Sequence, residues 1–375
     1  MRVDSLELAN FRNYAALRFD PPEGACILVG ANAQGKSNVL EALALLALGK
    51  SFRTVRESDL IRFDAPAASV SAQVRTRTGI ATAGCVITRA GEGARKRFMR
   101  NGRGVSYGGF LGGVTAVTFA PADLGLITGP ASLRRRLLNA ALSQLDRGYY
   151  HDLAAYLKVL AQKNAFLRSP DSGDRTLLAT YNAQLTDIGT RLVGARAAYV
   201  RRLGNEAETA HARWIGSRDT LQVAYAPSPA QDSFTPDAIS ARLFEALAGN
   251  ARAEAARKVS LIGPHRDDVS LSLGGRALAR YGSQGQQRTA VLAVKAAEYA
   301  LAHATAGEAP LLLLDDVLSE LDEQRRRAFM SSIAGFEQAF ITATDLSDVA
   351  FDAPRHVVYV KNGTLVQDAR HAASA

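Results

Sequence analysis

Gly30-Ala31-Asn32-Ala33-Gln34-Gly35-Lys36-Ser37 is the stretch that decides how this chain is read, because it satisfies every position of the P-loop pattern. Before it lies an apolar, strand-like run from Ala25 to Val29. After it, from Ser37 to Leu48, the apolar residues Val39, Leu40, Leu43 and Leu46 recur at helical spacing. A strand, a glycine-rich turn and a helix in that order aim backbone N–H groups and the positive end of the helix at one point, which suits phosphate oxygens. Gly30 to Ser37 are therefore read as ATP-binding positions. Lys36 is expected to reach the outer phosphates, and the Ser37 hydroxyl to ligate Mg2+.

Working outward, Leu311-Leu312-Leu313-Leu314-Asp315-Asp316 is continuous rather than alternating in its apolar character, the mark of a central buried strand that delivers two carboxylates to its end. Asp315 is expected in the Mg2+ shell. Asp316 either positions an attacking water or caps the next helix. Phosphoryl transfer to water asks mainly for positioning and for compensation of growing oxygen charge, which these groups supply. A third segment, Gly282-Ser283-Gln284-Gly285-Gln286-Gln287-Arg288, opens a helix candidate at 284–304, and a Ser–Gly turn there presents a hydroxyl and amides to an anion.

Composition sets the outer bounds. The 375 residues are 47% hydrophobic with two cysteines and a net charge of +9, enough for one sizeable core and a smaller second one. No run of about 18 uncharged apolar residues occurs, so a cytoplasmic protein with no membrane partner is expected. Cys26 and Cys85 have no Cys or His at metal-ligand spacing, which reads as two buried thiols. Lys and Arg number 16 against 10 acidic residues in 1–124, and 13 against 14 after residue 255. Residues 125–255 carry 16 against 12, so the surplus lies in the first two segments and favours a polyanion, although solubility alone also explains a charged surface.

Strands are predicted at Val3 to Leu8, Ala68 to Val74, Ala83 to Thr88, Arg97 to Arg100, Val114 to Phe119, Val259 to Ile262, Val269 to Leu273, Ala339 to Ile341 and His356 to Val360, with tight turns at Asn101–Gly102 and Asn362–Gly363. The first thirty residues read as two strands. Residues 131–215 read as helices broken from Ser169 to Gly173, and 227–238 as a link. Leu185, Ile188, Leu192, Ala195 and Tyr199 step by three and four, as in a coiled-coil seam, and Arg202 interrupts it. A projecting arm and a compact bundle both fit that pattern. Sheet elements at both ends, with helices between, predict an α/β fold split by an insertion: residues 1–124 and 256–375 form the head, and 125–255 the inserted helical arm.

The Gly282–Arg288 segment resembles the signature motif of ATP-binding cassette proteins in the form used by their SMC-like, chromosome-maintenance branch. Ser319-Glu320-Leu321-Asp322 stands in place of that family's intersubunit acidic loop. The resemblance implies that Ser283, Gln284 and Gly285 face ATP held by a second copy, with Ser283 joining Lys36, Asp315 and Asp316 in the catalytic set, so that ATP completes a homodimer. Phe11-Arg12-Asn13-Tyr14, Gly49-Lys50-Ser51-Phe52-Arg53-Thr54, Phe119 to Leu124, Arg134-Arg135-Arg136 and Gly263-Pro264-His265-Arg266-Asp267-Asp268 also occur in the order found in the RecF family. Membership there implies an ATP-dependent, DNA-binding dimer with weak, DNA-stimulated ATPase activity. It would work beside RecO and RecR in loading recombinase at single-strand gaps, within a nucleoid-associated setting and the SOS response.

Asp316 matches that family but replaces the glutamate common in other cassettes, which implies a slow switch rather than a motor. Asn139 departs from the expected acidic residue. Arg12 is placed at the nucleotide by the resemblance, or is an ordinary surface arginine. Asp123 would couple nucleotide to the helical domain, and Thr342 stands where many cassettes carry a histidine. Lys50, Arg53, Arg56, Arg95, Lys96, Arg97, Arg100 and Arg103 are candidates for DNA phosphate contact without base reading. The competing functions are an SMC-like structural DNA tether independent of RecR, and a peripheral transporter-type ATPase subunit.

Overall fold

The computed structural model describes residues 1–169, 174–215, 219–333, 335–349 and 355–367. In chain order its strands are β1 (Arg2–Phe11), β2 (Tyr14–Phe19), β3 (Gly24–Val29), β4 (Ala67–Thr76), β5 (Gly79–Ala90), β6 (Gly93–Arg100), β7 (Arg103–Val105) and β8 (Ala116–Phe119). They continue with β9 (Leu221–Ala226), β10 (Asp268–Leu273), β11 (Arg276–Ala277), β12 (Leu311–Asp315), β13 (Gln338–Ala343), β14 (Arg355–Lys361) and β15 (Thr364–Gln367). The chain divides into two units: Met1–Asp123, Arg213–Gly216 and Leu292–Ala375 in the first, Leu124–Ala212 and Ser217–Val291 in the second.

Two six-stranded sheets build the first unit. One runs β15-β14-β3-β13-β12-β8, parallel except for β15; the other is an antiparallel ribbon, β2-β1-β4-β5-β6-β7. The Lys36–Leu48 helix shares a core with both, in one cluster with Leu6 and Leu8 of β1 and Leu313 and Phe340 of the parallel sheet. Every residue from Val39 to Ala47 is buried, which is why this stretch is apolar on all sides, Glu41 excepted, rather than on one face. Each buried leucine there contributes about 1.5–3 kcal/mol. The order β3-β13-β12 fixes the site: the P-loop leaves β3, Asp315 ends β12, and Thr342 of β13 lies in register with Asp315 on one side and Leu28 on the other. Carboxyl ends of parallel strands are where such sheets bind ligands.

Three strands, not two, form the first thirty residues, because the chain reverses at Arg12–Asn13 and pairs Phe11 with Tyr14. Asn101 and Gly102 both adopt positive φ, 50° and 74°, and close a two-residue hairpin between Arg100 and Arg103, as predicted. The strand expected at Val259 to Ile262 does not form. Side chains satisfy that backbone instead: Asn164 Oδ1 accepts from Ser260 N at 2.7 Å and Glu254 Oε1 from Leu261 N at 2.8 Å.

The second unit carries the helices Ala131–Leu145 and Arg147–Arg168, most of Arg175–Ile215, and the three-stranded sheet β11-β10-β9. Residues 256–291 belong to it because β10 pairs antiparallel with β9. The two long helices run antiparallel: Arg191 bonds Asp152, Arg196 bonds Tyr149, and Tyr181 lies against Phe166. Leu185, Leu192 and Tyr199 of the predicted seam are buried, and Arg202 is exposed where the seam stops. The predicted break ends the first of these helices at Arg168, while residues 170–173 of it lie outside the described residues. β9 and the helices Pro236–Gly249 and Ala251–Arg257 were not foreseen. The predicted link stops at Thr235, whose hydroxyl caps the helix that Pro236 begins.

Candidate nucleotide site

Gly35 sits at φ 116°, a left-handed conformation, and a Cβ there would come within 3.0 Å of the Asn13 side chain and the Tyr14 hydroxyl. Glycine is therefore required by conformation and by space. At Gly30 a Cβ would meet the Val360 carbonyl oxygen at 2.3 Å, so the loop can pass the sheet only without a side chain. The loop is tied from outside: Asn13 Nδ2 donates to Gln34 O at 3.0 Å, Tyr14 OH to Gly35 O at 3.1 Å, and Asn362 N to Gln34 Oε1 at 2.8 Å.

Inside that cradle the Lys36 ammonium donates to Gly30 O at 2.6 Å and to Ala31 O at 2.9 Å. Burial holds its pKa below the ordinary lysine value, with the Asp316 and Asp315 carboxylates pulling the other way. Ser37 Oγ donates to Asp315 Oδ1 at 2.6 Å across 278 residues of sequence. Thr342 Oγ1 donates to the same oxygen at 2.9 Å and accepts from Asp316 N, also at 2.9 Å. Asp316 has φ 54°, unusual for a residue with a Cβ, and its Oδ1 accepts from Ser319 Oγ at 2.9 Å. A hydroxyl, a carboxylate and an ammonium within a ring of amides form a donor set that fits a triphosphate with a hard divalent cation.

Arg12 belongs to this site. It donates to both oxygens of Glu41, at 2.7 and 2.8 Å, and to Asp59 O at 2.8 Å. Glu41, fully buried on the P-loop helix, was not foreseen, although a lone carboxylate in an apolar helix is the signal that finds it. Arg53 joins through Asn38, donating to its Oδ1 at 2.8 Å. Arg12, Asn38 and Arg53, with Lys36 and Ser37, line a cleft of about 760 Å3, which also includes Asn32, Ala33, Phe63, Arg89, Asp316 and Thr342.

Ser283, Gln284 and Gly285 lie in the second unit. Ser283 caps the Gln284–Ala306 helix reciprocally: Gln286 N donates to its Oγ at 3.3 Å, and its own N–H to Gln286 Oε1 at 2.9 Å. Ser283 and Gln284 are exposed, and the serine proton remains free to donate to an anion. The arginine motif and the Gly263–Asp268 motif meet each other. Arg134 grips Asp268 at 2.6 and 2.9 Å, and Arg135 donates to Asp267 O at 2.6 Å. Asn139, where an acid was expected, accepts from Tyr149 OH at 2.7 Å and Arg196 at 2.9 Å, so a neutral amide oxygen serves.

Of the DNA candidates, Lys96 is engaged with Gly49 O and Glu57, whereas Arg95 and Arg97 project from the opposite face of β6 and are exposed. Asp123 accepts from Ala120 N at 2.8 Å and so closes its own turn. Cys26 and Cys85 are both buried. No helix among the described residues is long and apolar enough to cross a membrane.

Comparison with known proteins agrees with this geometry. The RecF/RecN/SMC N-terminal domain model matches residues 2–364. The DNA replication and repair protein RecF of Symbiobacterium thermophilum is 41% identical over 378 residues, covering 99% of both chains. A solved structure of the recombination mediator protein RecF with ATP, from the RecFOR pathway, superposes with a TM-score of 0.90 at 31% identity over 98% of this chain and 97% of that one. An SMC head bound to the C-terminal winged-helix domain of ScpA, 15% identical with a TM-score of 0.54 and full coverage of both chains, shares the fold. The chain belongs to the RecF family, within the wider group of SMC-like P-loop ATPases.

Proposed function

We propose that this chain is an ATP-dependent DNA-binding protein of replication-linked recombinational gap repair. In this reading it is a dimer clamp that closes on ATP, hydrolyses it slowly in a DNA-stimulated manner, and helps RecO and RecR load recombinase at single-strand gaps in support of the SOS response. The relatives' names and the RecFOR pathway of the solved RecF structure support the DNA-repair part. One observation in this chain carries the ATP part: the 2.6 Å hydrogen bond that brings Ser37 of the P-loop to Asp315 at the end of β12.

The residues divide the work as follows. Gly30 to Gly35 offer amides to the phosphates, and Lys36 neutralises the outer ones. Ser37 and Asp315 hold Mg2+, whose charge when bound compensates the growing negative charge on phosphate oxygens. Asp316 orients water, and its short side chain suits a slow switch. Ser283, Gln284 and Gly285 meet ATP held by a second copy. Arg95 and Arg97 contact DNA phosphates and give salt-dependent affinity without base preference.

Light scattering with and without ATP tests this directly, in the presence of duplex, single-stranded or gapped DNA. Wild type is expected to dimerise and retain DNA with ATP, and Lys36→Ala to do neither. ATP-independent self-association and DNA affinity in wild type would refute the clamp.

A further inference from the structure

The cleft has two chemically different ends. One is the ring of amides and the Lys36 ammonium. Toward the other stand Ile61, Phe63 and Arg89, which belong to none of the motifs that mark the phosphate end. Phe63 is 86% exposed, the most exposed large hydrophobic side chain among the described residues, whereas Ile61 beside it is 4% exposed and bridged to Phe11.

The position of Phe63 is built. Arg62, Phe63, Asp64 and Ala65 form a tight turn in which Ala65 N donates to Arg62 O at 3.1 Å and Asp64 takes φ 63°. Arg62 N donates to Asn10 O at 2.7 Å, which pins the turn to the end of β1. From the end of β5, Arg89 donates through Nε to Ala65 O at 2.9 Å and through Nη2 to Arg62 O at 3.5 Å. The turn is thus held on both sides, with an unshielded aromatic ring at its tip, in the wall of an anion-binding cleft.

A nucleoside triphosphate is a polyanion at one end and a flat π-system at the other. We propose that Phe63, over the Ile61 floor, is the base-stacking element of this site and gives it a preference for purine nucleotides. The inference rests on the triphosphate reading of the P-loop. A phenyl ring stacks on any base, since every base offers a π-face, but two fused rings overlap it more fully than one. Discrimination is therefore expected between purine and pyrimidine, and much less between adenine and guanine. On this wall the Asp59 carbonyl accepts from Arg12, and Asp59 Oδ2 accepts from Thr54.

Equilibrium binding to the full chain tests this with ATP, GTP, UTP and inorganic tripolyphosphate as probes, at protein concentrations below self-association. Phe63→Ala is expected to weaken ATP and GTP about tenfold, equivalent to about 1.4 kcal/mol, and to leave tripolyphosphate unchanged. Phe63→Trp should restore ATP binding. If Phe63→Ala leaves ATP affinity intact and instead abolishes ATP-dependent dimerisation, the ring belongs to a protein interface and the inference is overturned. If wild type binds neither ATP nor tripolyphosphate, the P-loop reading itself fails and takes the inference with it. If it binds both equally well, only the base subsite fails.

Discussion

Thr342 shows how a single hydroxyl organises the phosphate end of the cleft. It donates to Asp315 and accepts from the Asp316 amide, so it fixes both the carboxylate proposed for Mg2+ and the strained backbone that presents the carboxylate proposed to orient water. Thr342→Val keeps the shape and removes both bonds. Small displacements of reacting groups cost up to about a hundredfold in rate. The expected outcome is an ATP turnover reduced about 10- to 100-fold with ATP affinity changed less than about threefold. Thr342→Ser should recover most of the rate, because the hydroxyl and not the methyl carries the role. Equal losses in affinity and turnover would show that Thr342 only supports the fold. The residue stood in plain view in the sequence, in the place where many cassettes carry a histidine. Its importance was not legible there, because it follows from the order β3-β13-β12, and strand order leaves no trace in spacing. The P-loop was legible, since every position of it is a local requirement of strand, turn and helix.

At the scale of elements, Gly263 to Asp268 and the arginines that meet it form the polar centre of the second unit. Arg196 is 1% exposed and Asp267 fully buried, 2.7 Å apart. Tyr225 and Ser228 N also donate to Asp267. Removing one member of such a pair leaves a buried charge uncompensated, so Arg196→Met is expected to destabilise the chain by about 3–5 kcal/mol in urea unfolding. Adding Asp267→Asn to that variant should recover part of the loss. His265 adds a pH dependence. Its Nε2 lies 3.1 Å from Ser260 O, which can only accept, so Nε2 carries the proton and Nδ1 accepts from Tyr156 OH at 2.8 Å. Burial pushes its pKa down from about 6.5 to about 4, against the opposing pull of the Ser260 carbonyl. The unfolded chain therefore binds the proton more readily. The contribution is complete above pH 6.5, is lost as pH falls toward 4, and amounts to at most about 3 kcal/mol. His265→Gln should flatten the acid side of the unfolding profile between those values. A periodic pattern predicted the helices that frame this network, but Arg196 sits on the buried side of a helix otherwise rich in surface arginines, and composition alone does not distinguish it.

At the scale of the whole molecule, the sequence made the split legible because the two halves of one nucleotide site, Ser37 and Asp315, lie at opposite ends of the chain. It did not reveal that residues 256–291 pack with the insertion, since β9 is a six-residue strand with no turn motif to announce it. The Ser283 segment thus belongs to a different unit from the P-loop, and the proposed mechanism has it act on the ATP of a second copy. Mixing variants decides this. Lys36→Ala destroys the P-loop of its own copy, and Ser283→Arg blocks the signature of its own copy at a capping cost of only about 1 kcal/mol. Each variant alone is expected to be inactive in ATP turnover. Mixed at equal concentration with ATP, the two variants form heterodimers, and each of these carries one site built from an intact P-loop and an intact signature. Turnover should return, to at most about half of the wild-type value per protomer, because only one of the two sites is intact. A signature that acted within its own chain would give no recovery at any mixing ratio, because no protomer would then hold both intact parts.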